Sequence, residues 1–299
     1  MTSLAKRQFG AAFLLAGTAI GSGMISLPMV LAKFGISGTF IVMVAFALLT
    51  YFTALIRSDL NLNSHAEASL KDVGNFFGCS FVGNLGDFML KLLSFALLSA
   101  YISGESSIIG AALNHSVPNL LIVGIFTVVI ALIFLWASKA IVNANRILFI
   151  GMFATLIGLI AALLLQTPIN CVPQQSDNIS LNEWTTLVPV IFTSFGFQGS
   201  IHSMTKFCEN DRNLIKNACL WGSVIPAIVY IAWTSAILIV VANTDSAFFN
   251  LMLEGKAQDV GSLVQVLSQA ASSQSIQIIV WIISGLAILT SVFGVGLAL

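Results

Sequence analysis

Eight stretches of about twenty apolar residues, separated by short polar segments, constrain this chain more than any single motif. They cover residues 9–31, 36–56, 92–113, 117–137, 147–166, 185–205, 219–241 and 276–299. A helix needs about twenty residues to cross the hydrocarbon of a bilayer. Hydrophobic residues make up 58% of the chain and charged residues 8%. One soluble core could not hide that much apolar surface, so the sequence reads as an all-α, multi-pass membrane protein. Helical periodicity adds little, because lipid and a helix bundle both accept a helix that is apolar all round.

The basic residues set an orientation. With the N-terminus in the cytoplasm, Lys6, Arg7, Arg57, Lys71, Lys91, Lys139, Arg146, Lys206, Arg212 and Lys216 fall inside, and only Lys33 and Lys256 fall outside. Ten of the 12 basic residues therefore obey the positive-inside rule. The formal net charge is zero, which gives no sign of nucleic acid as a partner. The four cysteines show neither Cys-x-x-Cys nor Cys/His ligand spacing, so no metal site or cofactor is expected. Catalytic signatures such as Gly-x-Ser-x-Gly and His-Glu-x-x-His are likewise missing, which speaks against an enzyme.

Two spans are built to resist being continuous helices. The first contains Gly17, Gly21 and Gly23, followed by Pro28, which removes the N–H that would bond the carbonyl of Met24. The sixth contains Gly196 and Gly199 among Thr193, Ser194, Gln198, Ser200 and His202. Gly17-x-x-x-Gly21 alone fits close helix packing as well as a break. The second interrupted span favours a break, since unpaired backbone at membrane depth survives only where protein buries it or it lines a cavity. The two spans are five apart and cross in opposite directions, which points to an inverted five-helix repeat with a site at the breaks. We assign residues 9–166 to the first repeat and 185–299 to an incomplete second one, within a single transmembrane domain.

The break chemistry suggests a ligand. An outer half-helix starting near Ser22 and Gly23 would present free N–H groups and a positive dipole end to a carboxylate, with the Ser22 hydroxyl beside them. The inner half ends near Ala19 and Ile20, around Gly21, where bare carbonyls suit a cation; the sixth span adds carbonyls from Ser194 to Gly196. Anion donors beside cation acceptors match a zwitterionic amino acid. Phe195 and Phe197 are either ordinary core or aromatic contacts for a ring-bearing ligand. Glu105, the only acid well inside a span, is either a proton carrier or a neutral acid bonded to neighbouring serines. His202 is either a proton site or a neutral histidine near the cytoplasmic end. Outside the spans, Ser64-x-x-Glu67 reads as a capping box opening a short interfacial helix through Lys71. Residues 138–146 read as a basic elbow. Val260, Leu263, Val264 and Leu267 recur at helical spacing, as in a helix resting on the outer mouth.

Ile20-Gly21-Ser22-Gly23-Met24 through Leu27-Pro28, with Phe195-Gly196-Phe197-Gln198-Gly199-Ser200, resembles the hydroxy and aromatic amino acid permease family of the amino acid–polyamine–organocation superfamily, closest to its tyrosine/tryptophan permeases. The resemblance implies a leucine-transporter-type inverted-repeat fold with helices 1 and 6 discontinuous. It implies proton-coupled import of tyrosine or tryptophan across a bacterial inner membrane. Carried over, the carboxylate site maps to Ser22 and Gly23, and the amine site to the carbonyls of Ala19, Ile20, Phe195 and Gly196. The side-chain pocket maps to Phe195, Phe197 and the third span, with Gln198 and Gly21 in the two motifs. Thr290-Ser291 resembles a sodium-binding pair of sodium-coupled relatives. Such permeases have about eleven spans, whereas this chain shows eight. The expectation is a chain truncated after about eight helices, completed by a partner chain or acting as a non-transporting sensor.

Overall fold

Helix covers nearly all of the chain because lipid leaves the backbone no other way to satisfy its polar groups than helices or closed barrels. The computed structural model describes residues 3–64, 69–176, 178–257, 259–271 and 273–296; residues 3–7, 9, 22, 136–147, 203 and 206 are described by backbone alone. Among the described residues there are helices and connecting turns but no strand. Helices α1 (Ser3–Ala19) and α2 (Ser22–Leu31) lead through a 3-10 turn, Ala32–Phe34, into α3 (Gly35–Asn63). Next come α4 (Leu70–Phe76), α5 (Ser80–Ala112) and α6 (Asn119–Gln166). Helix α7 (Leu181–Ser194) reaches α8 (Ile201–Phe207) through a second 3-10 turn, Phe197–Ser200. The chain continues with α9 (Arg212–Thr244), α10 (Ser246–Leu253), α11 (Val260–Ala270) and α12 (Gln274–Gly296).

Among the described residues, five helical stretches are long and apolar enough to cross a bilayer, and two shorter apolar ones accompany them. Burial is arranged as lipid demands. Leu120, Leu165 and Phe81 are 84%, 86% and 77% exposed, while Thr39, Ser106, Ser223 and Thr234 are sealed inside. Large apolar side chains on the outside of a protein this hydrophobic form a lipid-facing surface. The core centres on α9, whose Tyr230, Trp233, Ile237 and Val241 are buried, and α1, α2 and α3 all pack on it.

Several expectations about the connections are corrected. The helices overrun the apolar stretches, because backbone hydrogen bonding does not stop where side chains become polar. Thus α3 continues past Ile56 to Asn63, placing Arg57 within a helix, and α5 begins at Ser80. The elbow expected at 138–146 is helical, so α6 is one helix where two were expected. Only its charges suggested a turn; it holds no Gly or Pro to stop a helix. At 48 residues α6 would measure about 72 Å if straight, more than twice a hydrocarbon core. Its two halves pack differently: Phe134 lies edge-on to Phe293 of α12, and Phe149 sits beside Gly17 of α1. The short helix after α3 is capped not by Ser64 but by Ser69, whose hydroxyl accepts from the Asp72 N–H while the Asp72 carboxylate accepts from the Ser69 N–H. Ser64 instead donates to the Leu60 carbonyl at the end of α3; Glu67 lies outside the described residues.

At the far end, opposite the N-terminus, the connections pack closely on the helices. Gly35 adopts φ +60° at the α2–α3 corner, and a Cβ there would lie 2.4 Å from the Gln174 carbonyl carbon, so the 167–180 connection packs directly on it. Asn243 pins the same connection by accepting from the Asn170 and Cys171 N–H groups and donating to the Cys171 carbonyl, each at 2.8 Å. The expected amphipathic helix is α11, capped by Asp259, with Leu263, Val264 and Leu267 buried against α5, α9 and α12.

Candidate functional site

Both interrupted spans are broken where their glycines cluster, and the breaks face each other. Helix α1 ends at Ala19; Ile20 and Gly21 are non-helical, and the first hydrogen bond of α2 runs from the Met24 N–H to the Gly21 carbonyl at 3.1 Å. The opening N–H groups of α2 and the closing carbonyls of α1 therefore have no partner within their own helices. Helix α7 ends at Ser194, and Phe195 and Gly196 turn the chain into the 3-10 segment. The helices come together closely here. A Cβ on Gly23 would fall 2.8 Å from the Ser194 Cα, and one on Gly21 would fall 2.1 Å from the Ser291 Oγ of α12.

Tyr230 of α9 joins the two breaks. Its fully buried hydroxyl lies 2.7 Å from the Ala19 carbonyl, the last of α1, and 2.7 Å from the Ser194 carbonyl, the last of α7. One phenolic proton serves both acceptors, so it satisfies one carbonyl at a time. The ring of Phe195 packs edge-on to Tyr230 with centroids 5.2 Å apart. Nothing in the break motifs points to Tyr230. The available signal was a lone tyrosine inside an apolar span, whose hydroxyl needs a partner when buried.

A cavity of about 600 Å³ opens at this junction and extends along α3 toward α4 and the first half of α5, the side that carries the N-terminus. It falls within the roughly 300–1,000 Å³ typical of small-molecule pockets. Of the expected site residues, Ala19, Ile20, Gly23, Phe195, Gly196 and Gln198 line it. Gln198 is held by donating to the Thr53 Oγ1 at 2.9 Å. Gly21 lies outside the lining, packed on Ser291. Phe197 also lies outside it and, like Phe195, is wholly buried in the core. The Ser22 side chain lies outside the described residues.

His202, Thr290 and Ser291 reach the same cavity. The hydroxyls of Thr290 and Ser291 both donate to the Ala287 carbonyl, at 3.0 and 3.1 Å. Glu105 does not line the cavity. It is buried where α5 meets α12, with Oε1 3.3 Å from where a Cβ of Gly285 would stand and Oε2 without a hydrogen-bond partner. The structure therefore does not bring the two proton-carrier candidates together. Tyr101 of α5, in the third span to which the side-chain pocket was mapped, lines the cavity, as do residues that sequence reasoning left out of the site: Thr50, Thr53 and Arg57 of α3, and Phe192 of α7.

On the far side the breaks are covered. Lys33 and Glu183 form an ion pair at 2.5 Å between the α2–α3 corner and the start of α7, and Phe34 stacks edge-on against Trp184 beside it. Ser180 also donates to the Glu183 carboxylate. The Lys33 ammonium, ahead of the Ser180 hydroxyl, pulls the Glu183 carboxyl down to about 2.

Two helices broken at one cavity inside an apolar bundle are a transporter's architecture, and sequence comparison decides which kind. Residues 5–299 match the Tryptophan/tyrosine permease family. The chain belongs to that family. It is thus a transporter-family membrane protein and not an enzyme. Among similar proteins, the Tyrosine-specific transport system 1 of Haemophilus influenzae is 28% identical over 297 residues, covering 98% of this chain and 72% of the relative. The Tryptophan-specific transport protein of Pseudomonas aeruginosa is 29% identical over 306 residues, 97% of this chain and 70% of the relative. Glutamine transporter 2 of Aliivibrio fischeri is 28% identical over 302 residues, 98% of this chain and 74% of the relative. The permease match spans both broken helices.

Proposed function

We propose that this permease imports an aromatic amino acid, tyrosine or tryptophan, by proton symport through alternating access, in a leucine-transporter-type bundle with a cytoplasmic N-terminus in a bacterial inner membrane. The observation that carries the reading is the meeting of two helix breaks at one cavity. The N–H end of α2 supplies anion donors there, and the carbonyl ends of α1 and α7 supply cation acceptors. The N–H groups at Ser22 and Gly23 take the carboxylate. The carbonyls of Ala19, Ile20, Phe195 and Gly196 take the ammonium. Phe195, Phe192 and Tyr101 border the aromatic ring. Glu105 and His202 are the groups for proton coupling, and Thr290 with Ser291 offers hydroxyls to a cation.

The cavity reaches the N-terminal side while Lys33–Glu183 and Phe34–Trp184 cover the other, which suits an inward-facing member of the cycle. Labelled tyrosine and tryptophan should enter vesicles holding the protein, and a protonophore should abolish accumulation. A relative named for glutamine makes unlabelled glutamine the competitor to include. Binding without flux would select the sensor reading, and neither binding nor flux would refute the proposal.

A further inference from the structure

An arginine inside a membrane bundle is expensive to bury and normally faces a partner. Arg57 has none. It lies on the cavity stripe of α3 with Thr50 and Thr53, at helical spacing of three, four and seven, so the three share one face. Its Nε is closed off from solvent and makes no hydrogen bond, and no carboxylate pairs with it among the described residues. Asp59, two residues on, is exposed and turned away around the helix. One turn further along, Asn61 is buried outside the cavity lining, and its Nδ2 donor is likewise unpartnered. A permanent cation at the edge of a ligand-sized cavity, with one donor already lacking a partner, offers a site to acceptor oxygens.

We propose that Arg57 is a second carboxylate-binding station, at the N-terminal-side end of the cavity, which takes the amino acid's carboxylate after it leaves the N-terminus of α2. This rests on the transporter reading above. Thr50 and Arg57 are seven residues apart, about 10 Å along α3. Gly23 at the N-terminus of α2 and Arg57 line the same cavity, so the ligand passes between the two anion-binding ends without leaving it. The planar guanidinium suits a carboxylate in a way an ammonium does not. The arrangement explains why a cation lines a cavity whose other walls are mostly apolar: the charged end of the ligand would otherwise cross those walls unpartnered.

The test uses the purified full chain in nanodiscs and two ligands that each keep half of tyrosine's charge. These are 3-(4-hydroxyphenyl)propionate, which lacks the amine, and tyramine, which lacks the carboxylate. Equilibrium binding of the propionate should weaken about tenfold or more in Arg57→Gln and partly return in Arg57→Lys, while tyramine binding stays unchanged in both. Unchanged propionate binding in Arg57→Gln, or an equal loss for tyramine, would overturn the proposal; the second outcome marks a purely structural role. Repeating the titration with anionic lipid added separates a lipid phosphate from a carboxylate. Competition by that lipid, with no propionate dependence on Arg57 in neutral nanodiscs, would also overturn it. If the wild-type protein binds the propionate through Arg57 but neither takes up nor binds tyrosine or tryptophan, the transporter reading fails and the anion site stands.

Discussion

Substituting Gly23 by alanine tests the junction most directly. The added Cβ would stand 2.4 Å from the Ser194 Oγ, 2.7 Å from its Cβ and 2.8 Å from its Cα. A hydroxyl can rotate away, but the Cα belongs to the backbone of α7. Restoring an ordinary contact of 3.4 Å needs α2 and α7 to part by about 0.6 Å. Overpacking of this kind costs about 1–3 kcal/mol, which corresponds to roughly a 5- to 140-fold loss of affinity when it falls on the binding-competent state. Gly23→Ala should therefore raise the KM for labelled tyrosine or tryptophan by such a factor in vesicle uptake. Ser194→Gly removes the two side-chain contacts and leaves the Cα, so the double variant should recover part but not all of the loss. A double-mutant cycle measures that coupling. Gly23→Ala with wild-type KM and wild-type thermal stability would refute the tight crossing, and strictly additive losses would refute Ser194 as its partner.

Two further outcomes follow from other contacts. Tyr230→Phe strips the proton shared by the Ala19 and Ser194 carbonyls, leaving a buried acceptor unsatisfied at about 1–3 kcal/mol. A lower melting temperature with a raised amino acid KM is expected, and an unaltered KM would detach Tyr230 from the site. The Lys33–Glu183 pair has a sign fixed by linkage. The Glu183 carboxyl is held at about 2, below its ordinary 4.5. Its stabilisation is fully present above pH 4.5 and disappears as pH falls toward 2. The difference in melting temperature between wild type and Glu183→Gln should shrink over that interval, and a constant difference would sink the assignment.

The elements legible in the sequence are those set by local backbone chemistry and gross apolarity. Glycine clusters with Pro28 place the break of the first span at Ile20 and Gly21, where α1 gives way to α2, and Gly196 marks the second. Apolar residues at helical spacing place α11. These depend on a few neighbouring residues and survive any tertiary arrangement. Where charge alone suggested a turn, as at 138–146, the reading failed, because charge sets where a segment is stable and not whether its backbone can bend. Assignment of Ser64 as a cap failed for a related reason: Ser69-x-x-Asp72 satisfies the same pattern a few residues on, and pattern cannot rank two local matches.

The sequence by itself determined a membrane-embedded helical chain, two broken spans and their family. Only the tertiary structure decided that Tyr230 ties the Ala19 and Ser194 carbonyls together, 36 residues beyond the second of them. It also decided that Phe195 and Phe197 are both buried in the core with only Phe195 bordering the cavity, and that Arg57 sits beside that cavity with no partner among the described residues. The physical reason is that a hydrogen bond or an unmet charge depends on which distant helix faces it, and uniformly apolar helices carry almost no periodic signal of which faces meet.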